Sequence, residues 1–419
     1  LWPISLFDGI NNPGNEEINY YYPTCDLVTA PDIIFFWVAR MIMAGEEYQK
    51  DVPFRNVYFT GVVRDKLGRK MSKSLGNSPD PLGLIDKYGA DGVRMGMLLS
   101  APAGNDILFD EQLCQQGAAF CNKIWNAFRL VQGWEVKEDL AQPEENKKTI
   151  AWMEATIKKA LVDINGLYAK YRLNEALMAV FKLFTDEFSG WYLEMIKPAY
   201  QAPIDAATFK ATLDFFEQLM KMIHPFMPFI TEELYQHIAE RKDGESIMVS
   251  PLILDAPTDE DATLLAQYEE AKQIISGVRA VRQSKNISPR EPLNLEVVAP
   301  ADDNVTMCSS LGAVIKKMAS LAEIQYVQAK SDGTSTFLIG TTEYAVQLGN
   351  LIDAEAEIAK MEAELKHLQG FLVGVKKKLS NERFVANAPA QVVELERKKQ
   401  RDAETKIAAL TESIAKLKK

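Results

Sequence analysis

The sequence predicts a multidomain chain: part of an α/β unit, then an α-helical bundle, a small α/β module and a C-terminal antiparallel coiled coil. Three observations carry this. The 419 residues exceed what one core organises. Long amphipathic stretches run from residue 111 to 240 with only short breaks. A seven-residue repeat, Leu351, Ile358, Leu365, Leu372 and Leu379, governs the tail.

Each element has its own signal. Pro31 suits a first helical turn and Asp32 behind it favours the helix dipole, so a helix is predicted to run to about Gly45. Asn56–Val63 is apolar, β-branched and aromatic, a buried strand that ends in a glycine- and charge-rich loop, Arg64–Lys73. Residues 80–99 read as helical. The bundle helices are predicted at 111–132, 148–171, 174–197 and 206–241, with Pro198, Pro203 and Gly244 at boundaries. A helix at 258–285 follows. Short strands at 293–299, 322–328, 335–340 and 342–348 surround a helix near 307–318. In the tail Ala354, Met361, Leu368 and Val375 fill the second seam position. Asn381–Pro389 breaks the helix, and a second helix follows whose seam (Val393, Ala403, Ile407, Leu410, Ile414, Leu417) is interrupted by Glu396 and Gln400. The short break favours a hairpin within one chain; a dimeric coiled coil is the alternative.

Composition narrows the function classes. No apolar run approaches a membrane span, no secretory pattern opens the chain, and no membrane partner is expected. The four cysteines, Cys25, Cys114, Cys121 and Cys308, form no Cys-x-x-Cys pair, so buried thiols are expected rather than a zinc ribbon. Net charge is -11, against general nucleic-acid binding; yet residues 351–419 carry a surplus of +3, leaving -14 on the rest. The chain opens on Leu1 with sequence typical of a domain interior, and a fragment is expected.

Lys70-Met71-Ser72-Lys73-Ser74 is the most informative segment. It follows a strand and precedes a helix, the position beside the ligand crevice of α/β sheets. Two ammonium groups amid small hydroxyl residues suit polyphosphate chemistry, in which negative charge grows on a departing pyrophosphate. Gly68 and Gly76 let such a loop move. The bland alternative is a solvated lysine–serine loop.

This pentapeptide resembles the KMSKS loop of class I aminoacyl-tRNA synthetases, and its flanks Phe59–Asp65 and Asp86–Arg94 are similar to those of the valine, isoleucine and leucine enzymes. The resemblance implies a Rossmann-type catalytic domain. It implies that Lys73 contacts the ATP phosphates in the transition state with Lys70, Met71, Ser72 and Ser74 assisting, and that Gly61 and Val62 lie near the adenosine. ATP would be a substrate, with Mg2+ arriving beside it and no protein-bound metal. The family's His-x-Gly-His is absent, since the histidines are His224, His237 and His367. Alone, the fragment is expected to be inactive, and no segment resembles the family's editing domain.

Asp32–Met41 resembles the valine branch, in its bacterial form. Ile33 and Trp37, four apart and so on one helical face, would wall the amino-acid pocket, with Asp32 near the adenylate; ordinary core is the alternative for both. Relatives often carry Gly where Ala30 stands. Cys121–Arg129 resembles the first helix of the anticodon-binding bundle, where Lys123, Asn126 and Arg129 share a face that could meet phosphates and unstacked bases. In the similar run His224–Leu234, Phe226, Met227 and Phe229 are expected in the core and His224 as a satisfied interior histidine. Lys378–Val385 and Ala388-Pro389 resemble the tip of the C-terminal coiled coil of bacterial valyl enzymes. Lys376, Lys377, Lys378, Arg383, Arg397 and Lys398 would gather toward a tRNA there, or serve as solvated charge.

The expected organisation is therefore 1–78, part of the Rossmann-type domain; 79–110, a stem-contact segment; 111–254, the anticodon-binding bundle; 255–348, the small α/β module; and 349–419, the tRNA-binding coiled coil. The expected function is a cytoplasmic, monomeric valine–tRNA ligase acting on valine, ATP and tRNA(Val). An isoleucyl or leucyl enzyme, or a non-catalytic RNA-binding derivative, is the alternative.

Overall fold

Asn15 starts the first helix among the described residues, α1 (Glu16–Tyr21), by accepting from the amides of Glu17 at 2.9 Å and Ile18 at 3.1 Å. The structure, a computed structural model, describes residues 12, 14–101, 105–299, 307–348, 354–380, 394–401, 404, 407 and 411. They fall into two units, Leu1–Glu269 and Glu270–Lys419.

In the first unit, β1 (Thr24–Thr29) and β2 (Phe54–Phe59) pair in parallel from Thr24↔Phe54 to Thr29↔Phe59. A parallel pair requires a crossover. It is supplied by a 3-10 turn at Pro31–Ile33, a π turn at Ile34–Val38 and α2 (Ala39–Gln49), which continues beyond the expected Gly45. The expected strand at 56–63 is divided: β2 stops at Phe59, and β3 (Val63–Arg64) pairs instead with β4 (Ile107–Leu108). Gly61 explains the break. The chain there presses against another backbone, and a Cβ on Gly61 would lie 1.9 Å from the Asn105 carbonyl oxygen.

α3 (Pro81–Leu99) is capped by Asp80 and kinks at Gly89 (φ 73). It crosses α4 (Glu111–Gln132) at backbone contact distance, because Gly92, Gly96 and Gly117 remove the side chains between them. The rest of the bundle is α5 (Glu144–Tyr168), α6 (Leu173–Lys182), a π stretch Leu183–Tyr192, α7 (Leu193–Ile196), α8 (Ala206–Ile223) and α9 (Pro228–Ile238), with two short strands, β5 (Val136–Lys137) and β6 (Ile204–Asp205), paired in parallel. A run of aromatic contacts holds it, Phe120 on Phe184, and Phe184, Phe188 and Phe128 each on Phe216.

The helix predicted over 206–241 is two helices. Pro225 and Pro228 interrupt it, and Pro228 opens α9 at the position where a missing N–H costs nothing. Phe226 and Met227 are buried as expected, whereas Phe229 is exposed. His224 bonds Thr231 Oγ1 at 2.8 Å, and burial lowers its pKa. Cys114 is buried and Cys121 partly so, both with thiol pKa values raised by burial, but Cys25 is exposed. The side chain of Cys308 lies outside the described residues.

A long helix, α10 (Asp259–Ser284), spans the division between the units. Its first part belongs with the bundle: Tyr268 stacks on Trp152 at 5.0 Å and bonds Thr149 at 3.1 Å. The second unit holds a four-stranded sheet in the spatial order Leu321–Val327, Leu293–Val298, Thr342–Gln347, Thr334–Ile339. β7 (Leu293–Val298) and β8 (Leu321–Val327) are parallel, with α11 (Met307–Ala319) between them in sequence, and β9 (Thr334–Ile339) and β10 (Thr342–Gln347) form a hairpin. All four predicted strands and the helix are present. Glu296, 1% exposed in β7, accepts from Ser331 N at 2.9 Å, Ser331 Oγ at 2.5 Å and Gln347 Nε2 at 2.6 Å.

α12 (Ala354–Leu379) follows. Leu365, Leu368, Leu372 and Leu379 are half-buried and Val375 is buried among exposed neighbours, the stripe expected of the repeat. The chain is helical again at 394–401. Lys376 pairs with Glu404 at 2.8 Å and Lys378 with Glu396 at 3.9 Å, so the two helical segments lie side by side. Leu351, Asn381–Pro389 and Val393 lie outside the described residues.

Candidate functional site

The Lys70–Ser74 loop is built around one carboxylate. Asp65 Oδ1, just past β3, accepts from the amides of Leu67 at 3.0 Å and Arg69 at 2.8 Å, and Gly68 turns the chain with φ 76. Asn77 then ties the far limb back. Its Nδ2 donates to Asp65 Oδ2 at 3.0 Å and to the Lys70 carbonyl at 3.2 Å, while its Oδ1 accepts from Ser72 N at 2.9 Å. These bonds, Asn77's first among them, lower the Asp65 pKa to about 2. Ser72 Oγ meets Ser74 Oγ at 2.8 Å and accepts from Leu75 N, closing a 3-10 turn at Lys73–Leu75. Met71 packs on the cluster of Leu84, Phe109 and Cys114, which gives it an anchoring role. Lys70 is exposed, and the side chain of Lys73 lies outside the described residues.

The expected ligand residues of the sheet leave two adjacent strand ends. Thr60 N donates to Thr29 O at 2.9 Å, so Ala30–Asp32 and Gly61–Val62 depart side by side. Val62 N donates to Asp106 Oδ1 at 3.2 Å. Ala30 has φ -85 and ψ 150, an extended conformation that needs no glycine. Asp32 is exposed in the first turn. The α-helical spacing argument for Ile33 and Trp37 does not hold as expected, because a π turn with its wider winding lies between them. Ile33 is half-buried and Trp37 is 54% exposed, with Arg40 over its ring at 5.5 Å.

On the bundle, Lys123 and Asn126 are brought together. With Asn122, Leu130, Ser189 and Glu194 they line a cleft of about 470 Å³ between α4 and the π stretch. Lys123 Nζ donates to the Thr185 carbonyl at 3.3 Å. Arg129 is exposed but does not line the cleft. In the tail, Lys377, Arg397 and Lys398 are exposed, Lys376 and Lys378 face carboxylates, and Arg383 lies outside the described residues. Among the described residues no group of three His, Cys, Asp or Glu could hold a metal, and no helix is long and apolar enough to cross a membrane.

Three family models match. Residues 1–110 match the tRNA synthetases class I (I, L, M and V), residues 151–298 the anticodon-binding domain of tRNA ligase, and residues 353–418 the valyl tRNA synthetase tRNA binding arm. The valine–tRNA ligase of Phocaeicola vulgatus is 64% identical over 419 residues, all of this chain and 47% of its own length. Those of Bacteroides thetaiotaomicron and Bacteroides fragilis are 62% and 63% identical, with the same shares covered. The chain is similar along its whole length to these valine–tRNA ligases. It spans about half the length of the curated relatives it matches. The LeuRS–tRNA–LeuAMS complex of Agrobacterium radiobacter K84 is a loose likeness, 16% identical with a TM-score of 0.42 over 75% of this chain and 36% of that one.

Sequence reasoning had no role for several residues that hold the site. Asn77 and Asp65 clamp the loop. Asp91, 5% exposed, accepts from Ile230 N at 2.7 Å and Phe229 N at 3.3 Å, capping α9 from far away in sequence because Met227 offers no cap of its own. Arg94 binds the Phe226 and Pro225 carbonyls at 3.0 and 3.1 Å. Asp91 and Arg94 stand one turn apart in a quoted motif, a signal of a shared task but not of the partner. The π turns at 34–38 and 183–192 gave no signal, and both fall beside expected ligand residues.

Proposed function

We propose that this chain forms the loop-bearing and tRNA-binding part of a monomeric, cytoplasmic valine–tRNA ligase, with 1–78 as part of the Rossmann-type domain, 79–110 as the stem contact, 111–254 as the anticodon-binding bundle, 255–348 as the small α/β module and 349–419 as the tRNA-binding coiled coil. The carrying observation is the Lys70–Ser74 loop, held to Asp65 by Asn77 beyond the end of a parallel strand.

In the first step a valine carboxylate oxygen bonds to the α-phosphorus of ATP and the bond to the bridging oxygen breaks, releasing pyrophosphate. Lys70 and Lys73 neutralise the charge that accumulates on it. The serine hydroxyls and loop amides add donors, and Mg2+ enters with the phosphates. Gly61 and Val62 bound the adenosine, Asp32 lies beside the adenylate, and Ile33 and Trp37 wall the side-chain pocket. In the second step a terminal ribose hydroxyl of tRNA(Val) attacks the acyl carbon and AMP leaves. Lys123, Asn126 and Arg129 meet the anticodon end. Lys376, Lys377, Lys378, Arg383, Arg397 and Lys398 hold another part of the RNA through phosphates, so binding weakens with salt.

The test is Lys73→Ala in the complete enzyme. Valine-dependent ATP–pyrophosphate exchange should fall by about a hundredfold or more, with tRNA affinity unchanged. An unaltered exchange rate, or exchange supported better by isoleucine than by valine, refutes the reading.

A further inference from the structure

Tyr171 lies between α5 and α6 with a left-handed backbone, φ 56. An aromatic residue there is strained and persists only when its surroundings impose it. Two bonds do so locally: Tyr171 N donates to Tyr168 O and Arg172 N to Leu167 O, both at 2.9 Å. The turn carries the side chain out of the bundle onto the β1–β2 pair. Its hydroxyl donates to Asp26 Oδ1 at 2.5 Å, and its ring stacks on Tyr58 with centroids 5.7 Å apart and planes 26° apart. The same Asp26 oxygen accepts from Asn56 Nδ2 at 3.0 Å, and Asn56 also donates to the Cys25 carbonyl at 3.3 Å. Asp26 is in register with Asn56, and Val28 with Tyr58. One bundle residue thus grips both strands, shortly before they release Ala30–Asp32 and Thr60–Val62.

We propose that Tyr171 is a positioning residue, through which the helical bundle sets the strand ends that carry Asp32 and Gly61. A residue serving only to close the loop would be better as glycine, which adopts this backbone freely. The tyrosine is retained at the expense of strain, and what it adds is the contact to the sheet.

The effect on activity rests on the function proposed above; the placement of the strands does not. Tyr171→Gly and Tyr171→Phe in the complete enzyme separate the two. In Tyr171→Gly, amide hydrogen exchange over 24–29 and 54–60 should rise by about threefold or more. Valine-dependent pyrophosphate exchange per titrated active site should drop by about tenfold, with KM for tRNA within about twofold. Tyr171→Phe keeps the stack and should recover most of both losses. Unchanged amide exchange in the strands overturns the proposal. So does an activity loss lying wholly in the fraction of active sites, the signature of a merely structural residue. Should the parent enzyme show no valine-dependent exchange, the functional reading fails, and the amide measurement alone decides whether Tyr171 positions the sheet.

Discussion

Replacing Asp91 with alanine tests how α3, the helix that follows the Lys70–Ser74 loop, is joined to α9. Asp91 is buried and is the acceptor for two amides at the start of α9. Losing a capping side chain costs about 1 kcal/mol, and leaving a buried N–H without a partner adds about 1–3 kcal/mol. Asp91→Ala should therefore cost about 2–4 kcal/mol, which in a unit of this size lowers the unfolding midpoint by about 4–16 °C. Scanning calorimetry on the 419-residue chain reads this directly. Asp91→Asn keeps one acceptor and should lose about half as much. Burial raises the Asp91 pKa against the lowering effect of the two amides. A carboxyl whose folded pKa is raised contributes stability that is full below the unfolded value and lost as pH rises through the folded one. The parent should thus gain on Asp91→Asn as the pH is lowered through that window. A midpoint for Asp91→Ala within about 1 °C of the parent would show that the contact caps nothing.

Asn77→Ala should let the Asp65 pKa rise from about 2 toward 3.8, followed by carboxyl NMR; the stability this carboxylate contributes is present above 3.8 and lost as pH falls through about 2, and an Asp65 still near 2 in the variant would remove Asn77 as the cause. Gly96→Ala places a Cβ 2.6 Å from the Cys114 amide nitrogen, so the α3–α4 crossing must open at a cost of about 1–3 kcal/mol, measurable by denaturant unfolding. Glu296→Ala strands the donors of Ser331 and Gln347 and should destabilise the small sheet by about 2–3 kcal/mol, with accelerated amide exchange at Ser331; unchanged exchange there would contradict the assigned bonds.

What could be read from the sequence was whatever depends on neighbours along the chain. Periodicity gave the helices from α4 to α7, the four strands of the second unit and the stripe Leu365–Leu379, because burial of one face repeats with the local geometry. The Lys70–Ser74 loop was legible because five residue types in order are their own signature. Contacts between distant segments were not legible. The strand at 56–63 breaks at Gly61 because the Asn105 backbone occupies the space a side chain would need. The helix at 206–241 divides at prolines visible in the sequence, but its second half starts where it does because Asp91 arrives to cap it. Tyr171 showed neither its left-handed turn nor its partners, and the two π turns gave no warning. Local sequence thus determined which segments coil, extend and carry charge. Tertiary structure decided where they stop and what they touch, because a close approach or a borrowed hydrogen bond is an energy shared between residues that the chain keeps far apart.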